Sequence, residues 1–206
     1  MAVTLKNFDL QGPAGRLEGV VHLPDGALRA IAVVAHPLPT MGGTMDNKVA
    51  VTLAKTFADM GCAAFRFNFR GVGASEGEFT GGDGETEDLV AVVHYAQEQF
   101  GSELPLVLSG FSFGGYVAAR GAQQLQPQHL ILAAPAVGRF AMPVVSPDTL
   151  VVHGEHDDVV PLADALQWAR PQHLPIVVLP AAEHFFHGRL TQLRDIVKKH
   201  FNGVEL

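Results

Sequence analysis

Gly110-Phe111-Ser112-Phe113-Gly114 joins a buried apolar run to a helix-forming segment and places one serine at the junction. The run before it, Leu104-Pro105-Leu106-Val107-Leu108, is short, β-favouring and alike on both faces, which suits a strand covered above and below by helices. The segment after it, 114–125, is rich in small residues and can wind as a helix. A serine in so abrupt a strand-to-helix turn must adopt a strained backbone with positive φ, and Cβ atoms two residues away on either side would clash. Glycine at 110 and 114 removes both obstacles.

Outward from that turn, strands and helices alternate. Towards the amino terminus, 3–10 and 16–23 read as two strands joined by Gly12-Pro13-Ala14-Gly15, a hairpin. The apolar run 30–35 is a buried strand that ends in His36-Pro37-Leu38-Pro39-Thr40-Met41-Gly42-Gly43. From 47 to 60, Ala50, Leu53, Ala54 and Phe57 recur at helical spacing until Gly61 stops the helix, and a strand follows at 62–69. The turn Arg70-Gly71-Val72-Gly73-Ala74-Ser75 and an acidic loop lead to a helix with the stripe Leu89, Val92, Val93, Ala96 and Phe100. Beyond the Ser112 turn, strands are expected at 130–134, 149–153 and 176–179. A helix follows from Pro161, placed as its first residue, to Arg170, and a final helix turns Leu190, Leu193, Val197 and Phe201 inward. The pattern predicts one α/β domain over 1–206, a mostly parallel twisted sheet of about eight strands with helices on both faces, and ligands at the carboxyl ends of the strands.

Composition narrows the function. Area scaling for 206 residues gives about 9,300 Å² of folded surface, roughly 70% of the extended chain's surface being buried. Hydrophobic residues make up 48% and charged residues 17%, as in compact enzymes. A net charge of -7 without a basic stretch argues against nucleic acid and against an anionic membrane surface. Cys62 is the only cysteine, so an intrachain disulfide is impossible, and its place at a strand start suits a buried inert thiol. The first ten residues carry Lys6 and Asp9 and no signal-like apolar core, and no window reaches a membrane-spanning length, so a cytoplasmic protein is expected.

The Gly-x-Ser-x-Gly turn in this strand and helix context resembles the nucleophile elbow of the α/β-hydrolase superfamily, and the resemblance extends over nearly the whole chain. It is nearest to small bacterial serine esterases of the dienelactone-hydrolase type, although those often carry cysteine where this chain has Ser112. The family order of nucleophile, acid and histidine implies Ser112 as nucleophile. His153-Gly154-Glu155-His156-Asp157-Asp158-Val159-Val160-Pro161 is similar to the family's Gly-x-x-Asp-x-x-Val-Pro turn and implies Asp157 as the acid, with Asp158 the second choice. The loop Pro180-Ala181-Ala182-Glu183-His184-Phe185-Phe186-His187-Gly188 follows the last strand, where the family places its histidine. His184 is preferred and His187 stands closer to the final helix. The oxyanion donors would be the amides of Phe113, at a helix start, and Leu38, since Pro37 and Pro39 have no N–H. Here the chain departs from the family, with His-Pro in place of His-Gly.

Other polar groups have structural readings. His36 and His153 sit at strand ends as loop-bracing partners, and Arg70 pins the turn that follows it. The acids from Glu76 to Asp88 read as a solvated face with Thr86 as an N-cap. Glu155 and Asp158 suit a solvated loop. His-x-x-His occurs at 153 with 156 and at 184 with 187, but neither pair has a helical presentation and a metal would leave the elbow unexplained, so no metal or other cofactor is expected. Only a short Pro-rich connection, 135–147, lies where lidded relatives insert helices, so no cap domain is expected and the site should be open. Leu38, Phe113, Met142, Phe185 and Phe186 would line it and favour a short or aromatic acyl group. The sequence therefore points to a serine esterase acting on small-molecule esters. A thioesterase is the alternative within the class, and a silent hydrolase fold used for binding is the alternative outside it. Oligomeric state is not legible.

Overall fold

The computed structural model describes residues 2–201. The elements in chain order are β1 (Val3–Gly12), β2 (Gly15–Pro24), β3 (Ala30–Ala35), α1 (Lys48–Asp59), β4 (Cys62–Phe67), α2 (Asp83–Phe100), β5 (Leu106–Phe111) and α3 (Phe113–Leu125). There follow β6 (His129–Ala133), β7 (Leu150–Gly154), α4 (Leu162–Ala169), β8 (Ile176–Leu179) and α5 (Leu190–His200). The eight strands form one sheet in the order β1-β2-β4-β3-β5-β6-β7-β8. β1 pairs antiparallel with β2, and β2 antiparallel with β4, while the remaining pairs are parallel. The accessible surface is 9006 Å², close to the value that chain length alone leads one to expect.

Two apolar layers sandwich the sheet. Phe65, Phe67, Leu108 and Leu132 meet the buried stripes of α2 and α3 on one face. Ala32, Val34, Phe111 and Val152 meet Leu53 and Phe57 of α1 and Leu193 and Val197 of α5 on the other. Strands β3, β4 and β5 are buried at every position, the signature of strands covered on both faces. β3 is followed by a helix on one face and β5 by a helix on the other, so the chain diverges at their carboxyl ends and leaves a crevice there, where open α/β sheets bind ligands.

Three local expectations are corrected. α2 starts at Asp83 with Gly82 before it, so Thr86 lies inside the helix and its hydroxyl donates to the Gly82 carbonyl. Pro161 is the residue preceding α4, not its first helical residue. The acidic run is only partly solvated: Glu85 and Asp88 are fully buried. Glu85 accepts from the amides of Thr80 and Gly82 and from the Thr80 hydroxyl, tying down the start of the helix. Asp88 pairs with Arg70. Cys62 is buried, and desolvation pushes its pKa up to about 12, so the thiol is inert as expected. Between β6 and β7 the chain makes an isolated bridge, Val137 to Phe140, and no helix. Among the described residues no inserted helix or domain forms a lid. Among the described residues no helix is long and apolar enough to cross a membrane.

Candidate active site

Ser112 occupies the turn between β5 and α3 with φ 55° and ψ −118°, a conformation that costs a non-glycine residue about 1–3 kcal/mol. Neighbouring backbone holds it there. The Ser112 amide donates to the Ala133 carbonyl at 3.0 Å, and its carbonyl accepts from Gly115 at 2.9 Å and Ala136 at 3.1 Å. A Cβ on Gly110 would stand 2.1 Å from the Gly114 carbonyl oxygen, and one on Gly114 would stand 2.2 Å from that of Ala35. The second contact shows that the elbow is pressed against the end of β3.

The structure brings Ser112, His184 and Asp157 together from three loops. His184 Nε2 lies 3.0 Å from Ser112 Oγ, and its Nδ1 lies 2.7 Å from Asp157 Oδ2. A carboxylate only accepts, so Nδ1 carries the proton and Nε2 offers its lone pair to the serine hydroxyl. Asp157 Oδ1 accepts from the amides of Val159 at 3.0 Å and Val160 at 2.7 Å. Burial works against its charge, but the bonds from His184 and Val160, with the nearby imidazoles of His184 and His153, outweigh it and hold its pKa below the ordinary carboxylate range. The loops carrying the acid and the histidine are laced to each other, Glu155 N to Leu179 O, His156 N to Ala182 O and Ala181 N to Glu155 Oε2.

The alternatives lie elsewhere. Asp158 is exposed. His187 is exposed and bonded to Glu183. His36 and His153 are both buried, and both brace loops. His153 donates from Nε2 to the Val160 carbonyl at 2.8 Å, and the same atom lies 3.4 Å from Asp157 Oδ2, a proximity that sequence reasoning missed. Burial lowers its pKa and keeps the ring neutral. No sequence signal marks this contact beyond the i, i+4 spacing across a strand-to-loop turn.

The loop 36–43 folds back on itself after β3. Leu38 O accepts from Met41 N at 3.1 Å and Gly43 N at 3.0 Å, and a Cβ on Gly43 would stand 2.1 Å from the Pro37 carbonyl oxygen. Gly43 therefore serves close packing of the loop. Among the described residues, neither the Leu38 N–H nor the Phe113 N–H has a hydrogen-bond acceptor. Two unspent donors thus lie in the segments that meet at the elbow, Phe113 next to the serine in the chain and Leu38 in the loop leaving β3, against whose end the elbow is pressed.

The expected lining residues separate. Phe185 is 41% exposed and stands edge-on to His184, with ring centroids 5.1 Å apart. Phe113 is fully buried, so only its amide can face the site, and its ring packs on Phe69, Phe79 and Phe140. Met142 is half-buried between the α3-side core and a small cluster of Val137, Val160 and Ala165. Phe186 corrects the expectation: it is fully buried against Phe111 in the α1-side core, with φ 53°, and anchors the histidine loop without lining a pocket.

The sequence model of the family described as "Serine aminopeptidase, S33" matches residues 29–147, more than half of the chain. An uncharacterised protein of Rickettsia prowazekii is 31% identical over 210 residues, covering 94% of this chain and 87% of its own. Among solved structures, an α/β serine hydrolase without lid from Xanthomonas campestris superposes with a TM-score of 0.91 at 36% identity, covering 98% of this chain and 95% of its own. An α/β serine hydrolase homologue from Coxiella burnetii gives 0.84 at 37% identity, with 94% and 96% covered.

Proposed function

The chain belongs to the serine aminopeptidase S33 family of α/β hydrolases, and from that premise we propose that it cleaves esters of small molecules through Ser112, His184 and Asp157. The observation that carries this reading is the continuous relay from Asp157 through His184 to Ser112, which ends at a hydroxyl next in the chain to the unpartnered Phe113 amide. His184 Nε2 takes the hydroxyl proton as Ser112 Oγ attacks the acyl carbon, and Asp157 stabilises the imidazolium. The amides of Leu38 and Phe113 receive the charge that develops on the carbonyl oxygen. His184 then returns the proton to the departing alkoxide, leaving an acyl-serine and the free alcohol. A water deprotonated by the same nitrogen attacks the acyl-serine, and collapse frees the acid and restores Ser112.

Two features favour small acyl groups over long ones. The interior beside the elbow is filled by the rings of Phe69, Phe79, Phe113 and Phe140, which leaves no buried channel there for a long acyl chain. The lidless fold leaves the acyl group on an open surface beside Phe185. A panel of acetyl, butyryl, benzoyl and dodecanoyl esters, their coenzyme A thioesters and amino-acid anilides tests this. Short and aromatic esters should turn over fastest. Fastest turnover of the anilides would assign a peptidase instead, and fastest turnover of the thioesters a thioesterase.

A further inference from the structure

The Leu38 N–H and the Pro37 carbonyl belong to one peptide plane. Among the described residues no peptide bond is cis, so the two groups point in opposite directions, and whatever fixes the carbonyl aims the N–H. The carbonyl is fixed by the side chain of the residue before it: His36 Nδ1 lies 2.7 Å from Pro37 O. The ring is fixed in turn, because the Phe69 amide donates to His36 Nε2 at 3.1 Å and the Phe69 ring packs on the imidazole with centroids 4.5 Å apart. An amide can only donate, so Nε2 holds the lone pair and Nδ1–H is the donor to Pro37. The next peptide plane is held as well, by Met41 and Gly43 on the Leu38 carbonyl. In the two peptide planes that meet at Leu38, the N–H of Leu38 is the polar group left without a partner among the described residues.

We propose that His36 is the positioning residue of the oxyanion site: its Nδ1–H draws the Pro37 carbonyl inward and so aims the Leu38 N–H at the Ser112 side of the crevice. The assignment rests on the Ser112 reading above. It also gives the His-Pro pair a physical sense. Pro37 and Pro39 offer no amide by which the loop could be tied, and proline at 37 fixes only its own φ, so the orientation of the following peptide depends on an external hold. Burial lowers the pKa of His36 to about 4, against the opposing effect of the Pro37 bond, so the ring stays in the neutral tautomer that this hold requires.

The test is a double-mutant cycle of His36→Leu with Leu38→Pro, read on a short ester and on a trifluoromethyl ketone, which forms a tetrahedral adduct with an activated serine. Leu38 has φ −54°, so proline fits its backbone and deletes the N–H. His36→Leu should lower kcat about 10- to 100-fold with KM changed less than about threefold, and weaken the ketone in proportion to kcat/KM. His36→Asn, whose amide can donate in place of Nδ1–H, should recover most of the loss. In the Leu38→Pro background, His36→Leu should cause no further loss. A folded His36→Leu with kcat within about threefold of the native chain, or an equal additional loss in the Leu38→Pro background, overturns the proposal. If leucine at 36 prevents folding, the asparagine variant decides: a folded protein with ketone affinity down about 100-fold contradicts the assignment and near-native affinity supports it. A native chain inert to both ester and ketone defeats the Ser112 reading itself, and the role of His36 with it.

Discussion

Ser112 and Arg70 are each 7% exposed, each lies just beyond the carboxyl end of a central strand, and each sits at the heart of a buried polar network. They differ in where the hydrogen bonds end. Arg70 Nε and Nη2 bond both oxygens of Asp88, Nη2 also reaches Glu87, and the Arg70 amide donates to Asp88 Oδ2 at 2.9 Å. That network closes on itself and ties the turn after β4 to α2. The network at Ser112 runs from the Val159 and Val160 amides through Asp157 and His184 and stops at a hydroxyl, and among the described residues nothing engages the Phe113 amide that follows it in the chain or the Leu38 amide in the loop leaving β3. A buried polar cluster that closes on itself suits the fold, and one that ends in unspent donors and a strained serine suits something that arrives from outside.

The comparison can be broken by removing one group from each network. Ser112→Ala should abolish ester turnover by about a millionfold, as for other serine nucleophiles, while its urea-denaturation midpoint stays near that of the native chain. Arg70→Met should do the reverse. It strips the fully buried Asp88 carboxyl of its guanidinium partner, so it should lose about 3–5 kcal/mol of stability in urea melts, while turnover per folded molecule stays within a few-fold of native. A variant at Arg70 that folds normally but is inactive would erase the distinction.

Acid should weaken the Ser112 side through His36. Above pH 6.5 the imidazole is neutral in both folded and unfolded chains and contributes no pH dependence. As the pH falls, the unfolded chain takes up a proton near 6.5 and the folded chain does not until about 4, so stability drops by about 3 kcal/mol across that window. His36→Asn cannot titrate there. The fall in unfolding free energy from pH 6.5 to 4 should be smaller by that amount in the variant, and an unchanged fall would contradict the neutral buried ring. The smallest effect concerns the elbow itself. Ser112→Gly relieves the positive φ and should raise stability by about 1–2 kcal/mol while eliminating turnover, and a destabilised glycine variant would mean that the turn stores no strain.

Much of this organisation is legible in the sequence because it rests on local causes. Gly110 and Gly114 announce the strained turn, since no side chain fits against the backbone there, and the all-buried strands read as unbroken apolar runs. Asp157 and His184 followed from resemblance to a family, not from any periodicity. What escaped depends on contacts distant in sequence or on single backbone torsions. Glu85 and Asp88 looked solvated because they are acidic, yet they sit at helical spacing from Val92, on the inward stripe, and Arg70 meets Asp88 eighteen residues away. Phe186 followed Phe185 in an aperiodic loop, and its left-handed φ of 53° turns it into the core while Phe185 stays at the surface.

The most direct measurement is the intact mass of the native chain and of Ser112→Ala after exposure to a fluorophosphonate probe. One adduct is expected on the native chain, none on the variant, and strongly slowed labelling when His184 is replaced by alanine. Absence of any adduct on the native folded chain, or equal labelling of the variant, would contradict an activated Ser112.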